Sequence, residues 1–308
     1  MGLKAPKELY QDAVRHNYGL GAFNTFSIEG ILAVLEACKE QRSPAIIQIS
    51  MGARNYVKHL KSYVDVIKCM AGNYDIPVFI QHDHCSTVEA CKEAIDAGVQ
   101  AVMFDGSHLP FEENAAKTRE VVAYAHERDV WVEAELGCLP GFEDLVFAEK
   151  AVFTDPEMAR RFISETGCDA LAVAVGTSHG GVAGDDYLPL DFDLLERIIS
   201  QKPDYPYVLH GAASLPPELI AACNDQGGKV EYLRNCCEES IAKAVKMGVR
   251  KVNMDVDNFL VFTTAVRKFL NEKPDIYDPR KYLGPGTKAF QKEVEHKIKE
   301  VLDSANRY

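Results

Sequence analysis

The sequence predicts an α/β chain folded as a single (β/α)8 TIM barrel with extra terminal helices, one domain over residues 1–308. Three observations point there. Eight short apolar or β-branched runs are each followed by a segment of helical periodicity. No composition shift, linker or fixed-period repeat divides the chain, so the alternation belongs to one unit. Nearly every run closes on a polar residue of catalytic type, and barrel sites lie at the carboxyl ends of the strands. An open doubly wound sheet is the alternative, but Gly19-Leu20-Gly21 lacks the third glycine of a dinucleotide fingerprint and sits before the turn.

In chain order, an amphipathic first helix leads to the run Gly19 to Asn24, and Glu29 to Lys39 is the helix after it. Ala45 to Ser50 is the second strand, with a helical stretch around Tyr56 to Met70. Val78 to His82 precedes the helix Thr87 to Asp96, and Ala101 to Asp105 precedes Glu112 to Arg128. Val130 to Leu136 is the fifth strand, followed by a longer loop rich in Gly, Pro and acids. Asp155-Pro156-Glu157 opens the next helix as an N-cap followed by Pro should. Ala170 to Val175, Tyr207 to His210 and Arg250 to Asp255 are strands six to eight, and two further helices close the chain.

Composition narrows the function. With 47% hydrophobic and 26% charged residues, the chain has the balance of an ordered globular protein. A net charge of -12 argues against a nucleic-acid surface, which needs clustered Lys and Arg. The opening MGLKAPKELYQDAVRHN has no apolar signal core, and no run is long enough to span a bilayer, so no membrane partner and a cytoplasmic location are expected. Nine cysteines without CxxC spacing, including the adjacent Cys236-Cys237, fit a reducing compartment better than a disulfide framework.

The chemistry gathers where Phe79-Ile80-Gln81 runs into His82-Asp83-His84-Cys85, an acid between two imidazoles where a buried strand ends. Such a pair offers a metal ligand and a general base. The plainer reading is an acid capping the helix at Ser86-Thr87 beside ordinary half-buried histidines. The other strand ends tip the balance: Asn24, Ser50, Asp105, Glu135, His179, His210 and Asp255 map to the same barrel face. His84, His179 and His210, from three separate βα units, are candidate ligands for a Zn2+ ion that polarises a carbonyl. Asp105 and Glu135 are placed as ligands of a second cation or as groups that orient the histidines. Cys85 and Cys138 lie close enough in sequence to these positions to be soft ligands, though no spacing demands it.

Along nearly its whole length the chain resembles the class II, metal-dependent fructose-bisphosphate and tagatose-bisphosphate aldolases. The motifs are Gly21-Ala22-Phe23-Asn24, Asp83-His84, Met103 to His108 with Phe111 to Asn114, Val132 to Gly137, Gly176 to Gly180, His210-Gly211, Asn253-Met254-Asp255, and Asp278 to Arg280 with Tyr282 to Gly286. The resemblance implies a lyase of carbohydrate metabolism that cleaves a ketose, with zinc on the three histidines and a second divalent or monovalent cation as a further possibility. It implies Asp83 as the base that removes the hydroxyl proton and Glu143 as the acid/base that protonates the enediolate. Asn24, Ser50, Gly180, Gly211, Asn253 and Asp255 are expected to bind substrate, and the assembly is expected to be a homodimer or homotetramer.

The phosphate positions depart from the family. Gly181-Val182-Ala183 stand where Tyr and Lys usually follow, Ala213 where a serine binds phosphate, and Val256 and Phe259 where Thr or Ser and an Arg occur. Three lost hydrogen bonds to a charged group would cost roughly 4.5–9 kcal/mol unless replaced. A ketose lacking the usual phosphate is therefore expected beside the fructose bisphosphate of the family. Gln81 in place of His is expected to alter the hydrogen bonds around the ligands, and Cys85 in place of Gly to crowd the first histidine. A sugar epimerase or isomerase using the same enediolate, and a non-catalytic paralogue, are the competing functions.

Overall fold

The computed structural model describes residues 3–308 apart from 140, 144–145, 149–151, 180–181, 184–186, 213, 232 and 235; for 141–143, 146–148, 182–183 and 233–234 only the backbone is described. Eight parallel strands close into a barrel: β1 Leu20–Asn24, β2 Ala45–Ile49, β3 Val78–Cys85, β4 Ala101–Phe104, β5 Trp131–Leu136, β6 Ala170–Val173, β7 Tyr207–Leu209 and β8 Val249–Met254. β1 pairs with both β2 and β8, so no sheet edge remains open in the barrel. The strands are buried on both faces because helices cover the outside, and for that reason they read as continuous apolar runs rather than alternating ones.

The helices begin where local chemistry starts them. α2 Ile28–Gln41 is capped by Ser27, which accepts from the Gly30 N–H at 3.3 Å, and Asp155 accepts from the Met158 N–H at 2.9 Å ahead of Pro156. The helix expected from Tyr56 to Met70 is two helices, α3 Met51–Val57 and α4 Leu60–Ala71. Lys58 between them has φ 62, which no helical residue adopts, and Ser50 starts the first by accepting from the Ala53 N–H at 3.2 Å. The long loop after β5 carries a hairpin, Gly141–Glu143 with Val146–Ala148.

α1 Pro6–His16 closes the amino-terminal end of the barrel. Leu9, Tyr10 and Ala13 pack on Leu20, Ala22, Ile46, Phe79 and Ala101, and the Tyr10 ring stacks on Trp131 at 4.9 Å between centroids. The interior is thus apolar near the amino ends of the strands. Towards the carboxyl ends it turns polar, with Gln48, Gln81, Asp83, Glu133 and Lys251 all fully buried. Burying such groups is tolerated only where they satisfy one another, so the polar layer marks the functional end.

The terminal helices Val256–Glu272 and Pro279–His296 pack on each other, the second also packs on α2, and the chain finishes in a π-helical turn, Lys297–Val301. Lys297, 1% exposed, binds Glu238 at 2.5 Å, Asp257 at 3.0 Å and Glu293 at 3.2 Å. Burial opposes the charge, but the three carboxylates hold the ammonium protonated far above neutrality. Lys297→Met leaves the fully buried Asp257 without its cation, a loss worth about 3–5 kcal/mol. Urea denaturation is expected to show that drop in midpoint at pH 7; an unchanged midpoint would refute the role given to this network.

Candidate functional site

The site is built by an irregularity in β3. Gln81 pairs with Ala101 and His82 with Val102, but the next pairing is Cys85 with Phe104, so Asp83 and His84 share the register of a single residue of β4. His84 takes φ 45 within this bulge, a left-handed conformation that costs a side chain of order 1–3 kcal/mol. The consequence is that two consecutive residues, which a regular strand would send to opposite faces, both reach the mouth. Asp83 meets β8 through Asn253 Nδ2, which donates to its Oδ2 at 3.0 Å, and His84 meets His210 with ring centroids 4.6 Å apart. The next helix is capped by Thr87, whose Oγ1 accepts from the Ala90 N–H at 3.1 Å, so Asp83 is not a helix cap.

Two tight turns bring in the other imidazoles. Gly176, at φ 120, and Gly211, at φ 57, adopt backbone conformations that disfavour other residues. A Cβ on Gly211 would lie 2.5 Å from the Ser178 carbonyl oxygen, so the loops carrying His179 and His210 are pressed together. His84, His179, His210 and Glu135 each offer one ligand atom, and these atoms lie within 4.8 Å of one another, all buried. Three imidazoles and a carboxylate converging at this distance fit a divalent cation such as zinc, whose bonds to nitrogen and oxygen run to about 2.0–2.2 Å.

Two of the imidazoles, His84 and His210, have the far nitrogen held by a carboxylate. Asp105 stands behind His84, its Oδ2 3.1 Å from Nδ1, while its Oδ1 accepts from the Ser107 N–H and Oγ–H at 3.0 and 2.7 Å. Burial would raise the Asp105 pKa, but these hydrogen bonds, His84 foremost, keep it well below the usual carboxylate range. With Asp105 ionised, His84 donates through Nδ1–H and turns Nε2 to the cluster. His210 donates through Nε2–H to Glu133 Oε1 at 2.7 Å and leaves Nδ1 facing Glu135 Oε2 at 3.6 Å. Burial lowers the His210 pKa, which favours the neutral ring that a metal needs.

Glu133 and Lys251 are the residues that sequence reasoning missed. Lys251 Nζ lies 2.9 and 2.7 Å from the two Glu133 oxygens and 3.8 Å from Asp83 Oδ1, and Gln81 Nε2 donates to Glu133 Oε2 at 3.0 Å. Burial opposes ionisation of Glu133, yet Lys251 first and His210 second bring its pKa down to about 2. A signal was present: in Val132-Glu133-Ala134-Glu135 both acids share one strand face, and Lys251 shares the parity of Asn253 in β8.

Of the remaining expected residues, Asn24, Ser50 and Asp255 line one cleft at the same mouth, and Asn253 links Gln48 to Asp83. Asp105 belongs behind His84 rather than in the donor set. Gly180 and the side chain of Glu143 lie outside the described residues, as do Ala213 and the side chains of Val182 and Ala183. Cys85 does not crowd the first histidine: the bulge turns it outward into the apolar core, with Sγ 3.2 Å from His82 Nδ1. Neither Cys85 nor Cys138 joins the donor cluster among the described residues.

The pattern of the family described as fructose-bisphosphate aldolase class-II matches residues 4–307. A fructose-bisphosphate aldolase of Treponema pallidum (strain Nichols) is 41% identical, covering 100% of this chain and 98% of its own length. One from Giardia intestinalis is also 41% identical, over 97% of this chain and 93% of its own. Among solved structures, a putative fructose-1,6-bisphosphate aldolase from Coccidioides immitis superposes with TM-score 0.81 at 28% identity, covering 98% of this chain and 97% of that one. The YdjI aldolase of Escherichia coli K12 superposes with TM-score 0.77 at 26% identity, covering 99% of both.

Lys251→Met strands an ionised Glu133 in the barrel and is expected to cost about 3–5 kcal/mol, whereas Lys251→Met with Glu133→Gln removes both charges and recovers most of it. Thermal unfolding of the two variants checks this, and equal losses in both would show that the charges are not coupled.

Proposed function

The chain belongs to the class II fructose-bisphosphate aldolase family, a metal-dependent family of lyases, and from that premise we propose that it is a zinc-dependent aldolase cleaving a ketose reversibly by retro-aldol chemistry. The observation that carries the reading is the bulge that puts a carboxylate, Asp83, directly beside one of three converging imidazoles. His84, His179 and His210 would hold the zinc, with Glu135 in reach. When bound there, the cation supplies Lewis-acid polarisation of the ketose carbonyl.

The protein's own groups carry the proton transfers. Asp83, oriented by Asn253 and steadied by Lys251 3.8 Å away, takes the proton from the hydroxyl across the breaking carbon–carbon bond. Glu143, on the loop hairpin after β5, returns a proton to the enediolate half once the aldehyde has separated. Asn24, Ser50, Asn253 and Asp255 offer hydrogen bonds to substrate hydroxyls, and backbone amides at Gly180 and Gly211 offer donors to an anionic group. The substrate is a ketose of the fructose-bisphosphate kind whose phosphate contacts differ from the family pattern at Val182, Ala183, Ala213 and Val256.

One domain over residues 1–308 forms the enzyme, acting as a homodimer or homotetramer on a small-molecule substrate. Nine cysteines, all free, support a cytoplasmic setting. Among the described residues no helix is long and apolar enough to cross a membrane.

Cleavage of fructose 1,6-bisphosphate and of non-phosphorylated ketoses by the zinc-loaded protein, coupled to aldehyde detection, tests the reading. Asp83→Asn is expected to lower kcat by about 10²–10⁴ while zinc content stays the same, and a chelator is expected to abolish turnover. Full activity of Asp83→Asn would remove it as the base; interconversion of ketoses without aldehyde release would establish the epimerase instead.

A further inference from the structure

The end of the barrel opposite the donor cluster is only partly closed. α1 seats its apolar residues under β1 to β4, on Leu20, Ala22, Ile46, Phe79 and Ala101. Beside it, under the amino ends of β5, β6 and β7, lies a cleft of about 820 Å³, a size within the roughly 300–1,000 Å³ of small-molecule sites. Trp131 and Pro206 line it with apolar surface, and the Tyr10 ring stacks on the indole with 7° between planes, which fixes its orientation.

The two walls carry opposite charge. Lys7, Gln11 and Arg15 recur every four residues on one face of α1 and line one side. Asp129, Asp169 and Asp204, on the loops that lead into β5, β6 and β7, line the other. Some of these charges are engaged: Arg15 lies 3.7 Å from Asp12, Asp169 Oδ2 is 2.9 Å from His126 Nε2 and accepts from the Val132 N–H at 2.8 Å, and Asp204 acts on the buried Arg250. Lys7 and Asp129 are not, and among the described residues no ion pair crosses the cleft. An anion alone would face three carboxylates, and a cation alone would face Lys7 and Arg15. A molecule with both charges meets neither objection, and an apolar body lets it cover Trp131.

We infer that the cleft under β5 to β7 binds a small zwitterion with an apolar body, a free amino acid or dipeptide with large apolar side chains. Its carboxylate lies towards Lys7 and Arg15, its ammonium towards Asp129, and its side chains rest on Trp131 and Pro206. The inference is independent of the aldolase reading, because none of these residues belongs to the donor cluster or contacts it.

Trp131 is the only tryptophan in the chain, so its fluorescence reports the cleft directly. The probes are leucine and leucyl-leucine, which do not absorb where tryptophan is excited, with acetylated and amidated forms that each lack one charge. Titration into the full chain is expected to change Trp131 emission saturably at millimolar concentration or below, with either blocked form weaker by about tenfold or more. Which of leucine and leucyl-leucine binds more tightly tells the size of ligand the cleft takes. Lys7→Gln with Arg15→Gln is expected to erase the preference over the amide but keep that over the acetyl form, and Asp129→Asn to do the reverse. All three positions are exposed, and Asn suits the φ of 55 at residue 129, so the fold tolerates these changes. No saturable response to either probe, blocked forms that bind as tightly as the parents, or preferences unchanged in the variants would overturn the inference.

Discussion

The ion pair between Lys251 and Glu133 at the centre of the barrel is the constraint on which the upper half of the molecule depends. Both side chains are fully buried, where an unpaired charge would cost several kcal/mol. The pair is anchored from three sides, by Gln81 on β3, by His210 on the loop after β7 and by Asp83 across the mouth. Because the ammonium keeps Glu133 ionised, the carboxylate can accept only, and the His210 tautomer follows from that. One buried cation therefore fixes which nitrogen of a histidine faces the donor cluster.

Backbone geometry supplies what side-chain choice cannot. The β3 bulge spends left-handed strain at His84 to aim two adjacent residues at one point, and the surrounding pairs Asp105–His84 and Asn253–Asp83 hold it there. Gly176 and Gly211 do the same for the opposite wall by allowing loops to approach within distances that a Cβ would forbid. Strain, close approach and buried charge all concentrate at the carboxyl ends of the strands, whereas the amino ends hold the apolar packing of Tyr10, Phe79 and Trp131.

The barrel and the convergence of the three histidines are legible because they rest on patterns with short reach: apolar runs, helical periods and a polar residue closing each strand. The bulge was not, since residues 78–85 read as one strand whose inward and outward faces simply alternate, and only pairing with β4 reveals the slip. For the same reason Cys85, which the sequence sets against His84, lies instead in the outer core. The strand-end position of Asp105 allows it to be a ligand of a second cation or a group that orients the histidines; its place behind His84 depends on a contact across 21 residues that no local spacing encodes. Lys251 is not legible because a lysine beside Arg250 in a short strand looks like an edge or solvent position until the barrel closes around it. The edge-on contacts of Phe26 with Tyr56 and Phe259 join distant parts of the chain, so they too exist only in the fold.

In the proposed reading His84, His179 and His210 bind one divalent cation, His84 and His210 through the nitrogens that Asp105 and Glu133 leave exposed. X-ray absorption spectroscopy of the zinc-loaded protein tests it most directly. Three imidazole shells at about 2.0–2.1 Å with remaining oxygen donors are expected, falling to two in His210→Ala. A spectrum dominated by sulfur at about 2.3 Å, or one unchanged by His210→Ala, would contradict the account.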